Sequence, residues 1–79
     1  MSQVYLPTGK HCGEKHRVKF VLVDPSAASW VCILKDSAGN TIFTAKGSDA
    51  VARSYPVNID ADAFNMTTAT NLTGIMLYT

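Results

Sequence analysis

Residues 29–46 read SWVCILKDSAGNTIFTAK, and this stretch decides the fold. Trp30, Cys32 and Leu34 alternate with Val31 and Ile33, a period of two that places the first three on one face of a strand. Apolar residues on both faces mark a central strand, or one whose outer face is covered. Asp36-Ser37-Ala38-Gly39-Asn40 then supplies a turn, with Gly39 and Asn40 suited to positive φ. Thr41-Ile42-Phe43-Thr44-Ala45-Lys46 restores the alternation and completes a β-hairpin with residues 36–40 as its loop.

The same period governs the flanks. Residues 3–6 are β-prone and end at Pro7-Thr8-Gly9, and residues 9–16 are polar without a period and read as a loop. Residues 17–23 place Val18, Phe20 and Leu22 on one face, up to the turn signal Asp24-Pro25-Ser26. A loop over 47–52, with at most one helical turn, leads to a strand over 53–60 whose Tyr55, Val57 and Ile59 share a face. Pro56 cannot donate to a ladder, so that strand belongs at an edge or carries a bulge. Residues 60–64 suit a short helical turn capped by Asp60, and residues 65–71 are Thr-rich and suit a loop or extended chain. Residues 72–78 form a last strand, with Ile75 and Leu77 opposed to Met76 and Tyr78, and with Gly74 marking a bulge or close approach. No amphipathic stretch is long enough for a ten-residue helix. The expectation is an all-β domain spanning 1–79, a small sandwich or barrel of five or six short, mainly antiparallel strands.

Composition narrows the function. The chain has 79 residues, 47% hydrophobic and 16% charged, with a formal charge of +1. Average soluble domains carry roughly 25% charged residues. Such a chain is neither a disordered linker nor a strongly basic nucleic-acid binder. No apolar run reaches the ~18 residues of a membrane span, and residues 1–11 lack a basic leader followed by an apolar stretch. Synthesis in the cytoplasm without a membrane partner is expected. The two cysteines, Cys12 and Cys32, are too few for a disulfide-built secreted scaffold, and Cys32 in its apolar run reads as a small buried hydrophobe.

Candidate chemistry is sparse. His11, Cys12, His16 and Cys32 are the residue types that bind zinc, but their spacing matches no zinc pattern, and no metal or other cofactor is expected. Cys12 beside His11 or His16, with Glu14 near, contains a thiol, a base and an acid without a recognisable catalytic frame. Asp60 and Asp62 read as turn formers. Pro7-Thr8-Gly9-Lys10 lacks the rest of a phosphate-binding loop, and the triplets at Asn65 and Asn71 are ordinary for a Thr-rich segment. No enzyme is expected.

Two features point to interaction instead. Residues 1–23 hold Lys10, Lys15, Arg17 and Lys19 against Glu14, whereas residues 24–79 carry an acidic excess. A basic segment over 10–19 could serve a small β-barrel binding module for nucleic acid or protein. Phe20 is the one aromatic near it, and its alternation assigns it to the core, which disfavours nucleic acid. The second feature is excess apolar surface, since so small a domain cannot bury both faces of its strands. The terminal strands are the clearest case, so Val4, Leu6, Met76 and Tyr78 are expected at a contact with another subunit. The expectation that follows is a structural protein: a bacteriophage virion component such as a capsid decoration, cement or tail accessory subunit. It would bind itself, a capsid protein or a tail protein through β surface in a symmetric homo-oligomer or larger assembly.

Overall fold

The computed structural model describes residues 3–79; Met1 and Ser2, which open the segment read for a leader, lie outside the described residues. Eight strands run in order: β1 (Gln3–Pro7), β2 (His11–Cys12), β3 (His16–Pro25), β4 (Trp30–Lys35), β5 (Thr41–Gly47), β6 (Arg53–Ala61), β7 (Phe64–Thr70) and β8 (Leu72–Tyr78). No helix occurs among the described residues. The strands form two four-stranded antiparallel sheets, ordered β1-β8-β3-β6 and β2-β7-β4-β5.

The first strand pairs with the last, the second with the seventh, the third with the sixth, and the fourth with the fifth. The chain is thus one long antiparallel hairpin whose tip is the β4–β5 loop. Pairing of β8 with β3 and of β7 with β4 then rolls that hairpin into two sheets. Every connection except β4–β5 passes from one sheet to the other.

At the hairpin tip Gly39 alone takes the positive φ that the sequence offered at Gly39 and Asn40. Asp36 accepts hydrogen bonds at Oδ1 from the Ala38 and Asn40 backbone N–H groups, at 3.0 and 2.9 Å. Gly39 takes φ of 85°, which a side chain would resist. Both sheets turn one face into a shared core. Val18, Val21, Val23, Ile75 and Leu77 come from the first sheet, and Trp30, Cys32, Leu34 and Phe64 from the second, all fully buried. Trp30 keeps its polar handle satisfied, because indole Nε1 donates to the Asp49 carbonyl at 3.1 Å.

Several expectations need correction. There are eight strands, because the two-residue β2 interrupts the polar 9–16 segment and the Thr-rich 65–71 segment is mostly strand. Residues 60–64 hold no helical turn; β6 runs to Ala61 and β7 starts at Phe64. Val18, Phe20 and Leu22 do not share a face. The alternation of β3 changes phase at Lys19 and Phe20, two successive exposed residues, where the register with β6 also shifts. Val21 and Val23 therefore point inward, and Phe20 is 40% exposed. Among the terminal-strand residues, Leu6 is 2% exposed in the core and Val4 packs against it. They lie opposite Ile75 and Leu77, both core residues, so they share the inward face.

Other features stand as read. The β4–β5 hairpin turns over residues 36–40, and Trp30, Cys32 and Leu34 are buried together. Tyr55, Val57 and Ile59 all meet the core, and β6 with Pro56 is an edge strand.

Candidate interaction surface

The outer face of the β1-β8-β3-β6 sheet is built by register. Strand pairing lines up Tyr5, Met76, Leu22 and Ser54 across the four strands. The next row out holds Gln3, Tyr78, Phe20 and Pro56. Alternation sends these residues away from the core, because their neighbours along each strand, such as Val21, Ile75 and Leu77, are the buried ones. Tyr5 is 50% exposed, Phe20 40%, and Leu22, Met76 and Tyr78 are half-buried. A shallow hollow of about 370 Å³ opens between Phe20, Leu22, Ser54 and Tyr78. Tyr5 leans along this face over Gly74: a Cβ on Gly74 would lie 2.8 Å from the Tyr5 hydroxyl and 2.7 Å from the Leu6 carbonyl oxygen. That is the close approach Gly74 was read to mark.

Charge borders the two rows rather than entering them. Beyond the Phe20 row lie Lys19 and Arg17, the latter 3.9 Å from Asp60. Beyond the Leu22 row, β3 ends in exposed Asp24. Among the described residues neither Lys19 nor Asp24 has an ion-pair partner. The outer face of the other sheet differs in kind. Its central Val31 and Ile33 are flanked across the strands by Lys46 and Thr70, and by Thr44 and Thr68. Hydroxyls and an ammonium there keep the surface wet.

Of the four terminal-strand residues expected at a contact, Met76 and Tyr78 lie on this apolar face, whereas Val4 and Leu6 do not. Tyr5, Phe20 and Leu22 share this face with them. Period two sets Tyr5 opposite Leu6, but which of the two faces out is decided by the ladder with β8. For Phe20 the phase change in β3 decides, and it leaves no mark in composition.

The other candidate groups are scattered. Strand β2 turns exposed His11 outward and Cys12 inward, and both cysteines are free and buried. Burial pushes the Cys32 thiol up to about 11. His16 packs its ring 6.2 Å from that of Phe64, and its Nε2 lies 3.6 Å from a Glu14 carboxylate oxygen. Among the described residues no three His, Cys, Asp or Glu side chains are placed to share a metal ion. Asp36, Asp60 and Asp62 border a surface hollow with Lys15. There the Ser37 hydroxyl and backbone N–H donate to Asp62 and hold its carboxyl below the usual range. No helix of the described residues is long and apolar enough to cross a membrane. Comparison with protein-family models, curated proteins and solved structures finds no match to this chain.

Proposed function

We propose that this protein is a non-enzymatic assembly subunit of a virion, acting by adhesion through the outer face of its β1-β8-β3-β6 sheet. The observation that carries the reading is the pair of apolar rows, Tyr5, Met76 and Leu22 beside Tyr78, Phe20 and Pro56. Cross-strand pairs of this kind add roughly 0.2–1 kcal/mol each to the sheet, but they leave a contiguous apolar surface in water, and such patches mark interaction sites. The finer reading of the fold agrees. First-with-last pairing rolled into two sheets is the connectivity of an eight-stranded jelly-roll sandwich, an architecture that viral capsid domains use. Fold likeness alone is an analogy; the face is the physical argument. Capsid decoration, cement and tail accessory roles in a bacterial virus could each be filled by a small subunit whose one adhesive face is repeated by symmetry.

The test is copurification with purified particles from the source, quantified by mass spectrometry. The protein should be present at a fixed copy number per particle. A Met76→Asp variant should fold, by its circular dichroism and melting temperature, yet fail to join, because the contact would have to desolvate a carboxylate. Particles that lack the wild-type chain would sink the proposal.

One observation favours a second reading. Phe20 faces solvent beside Lys19 and Arg17, with Tyr78 and Tyr5 on the same face, and aromatics among cations suit single-stranded nucleic acid. Against it, Asp24 and Asp60 balance Lys19 and Arg17, so the face lacks the positive groove that a phosphate backbone requires. Salt-sensitive binding of a single-stranded oligonucleotide, lost in Phe20→Ala, would promote this reading over the first.

A further inference from the structure

We infer that the occupant of this face is a second copy of the same chain, laid face to face with its strands antiparallel. The inference rests on the assembly reading above and adds its geometry. The face has two rows, which the chain crosses in opposite order on neighbouring strands: Phe20 then Leu22 on β3, and Met76 then Tyr78 on the antiparallel β8. A two-fold axis lying in the interface, across the strands and between the rows, sets each row on the other row of the second copy. Phe20 then meets Leu22 of the second copy, and Tyr78 meets its Met76. Because the contact is isologous, each such pairing occurs twice.

The border charges select this axis. Lys19 and Asp24 flank the rows on the same strand, five residues and about 16 Å apart. The axis between the rows brings Lys19 over Val23 of the second copy, one residue from its Asp24, a gap that the four-carbon stem of lysine spans, and the same contact recurs in reverse. An axis running along β3 would instead stack Lys19 on Lys19 and Asp24 on Asp24, which like-charge repulsion opposes. Both groups lack an ion-pair partner within the described residues of one chain, and the antiparallel dimer gives both one. Four strands about 4.8 Å apart make a face about 19 Å wide, and with about 16 Å between the border charges it offers roughly 300 Å² per partner, well below the roughly 800 Å² of a stable interface. The dimer is therefore in exchange with monomer, and its population rises with concentration.

Sedimentation equilibrium over a concentration series tests this on the full chain. Wild type should fit a monomer–dimer equilibrium, and Lys19→Asp or Asp24→Lys alone should weaken it roughly tenfold, because two attractive pairs become repulsive. The two variants mixed should form a heterodimer more tightly than either pairs with itself, and the double variant should recover wild-type association. Folding is checked by unchanged circular dichroism, and both sites are exposed. A wild type that stays monomeric to hundreds of micromolar, or a mixture that does not rescue, overturns the antiparallel dimer. The particle copurification above is independent of that result: a chain that joins particles yet stays monomeric in solution assigns this face to a shell protein instead.

Discussion

At the scale of single residues, the core is decided by Trp30. It is fully buried, hydrogen-bonded to Asp49, and set edge-on to Tyr55 with ring centroids 6.5 Å apart. Trp30→Ala should cost about 3–5 kcal/mol, close to the whole stability of a domain this size. Urea denaturation would report it, and a variant with an unchanged midpoint would mean that the indole does not hold the core. Cys32 offers a second residue-level prediction. Its thiol ionises near 9.0 in an ordinary setting and at about 11 here, because burial penalises the thiolate. As pH rises, the unfolded chain loses this proton first. The thiol's contribution is therefore intact below about pH 9 and lost as pH climbs through about 11. The melting temperature of wild type should fall across that window by more than that of Cys32→Ala. Maleimide should label Cys32 at the rate of global opening, not at the rate of a free thiol.

At the scale of elements, the corners matter most, because nearly every connection crosses between sheets. Asn71 alone links β7 to β8, at φ of 53°, and its Nδ2 donates to the Ala28 carbonyl at 2.8 Å. Its own carbonyl accepts from Ser26 N–H at 2.8 Å, so one residue ties the β3–β4 and β7–β8 corners together. Asn71→Ala should cost about 1–2 kcal/mol through lost hydrogen bonds and positive-φ strain. Asn71→Gly should cost less, since it removes the strain and only the bonds are lost. Equal losses in chemical denaturation would show that backbone strain plays no part. These corners also explain what was legible in the sequence. Segments with strict alternation, β4, β6 and the end of β8 from Ile75, could be read residue by residue, because period two is a local property. Strand β2 and the phase change in β3 could not, because both depend on the strand alongside: His11 and Cys12 become strand only by pairing with Asn65 and Phe64. The inward turn of Leu6 is of the same kind, since its face is set by Ile75 across the ladder.

At the scale of the whole molecule, the sequence carried the surplus of apolar residues but not their destination. Counting faces shows that a small domain must leave some of them outside; only the sheet order shows that Tyr5, Phe20, Leu22, Met76 and Tyr78 gather on one of its two outer faces. Met76 and Tyr78 lie on that outer face with Tyr5, Phe20 and Leu22, while Val4 and Leu6 turn into the core. The central claim is that this one face is covered when the protein is at work. Hydroxyl-radical footprinting of the free chain and of the particle-associated chain measures that directly. In the free chain, diluted until it is monomeric, Tyr5, Phe20, Met76, Tyr78 and the exposed Val51 should all be modified. In the associated chain the first four should be protected, with Val51 still reactive as the internal reference. Undiminished modification of Phe20 and Met76, or protection confined to Val31 and Ile33 on the opposite sheet, would contradict the account.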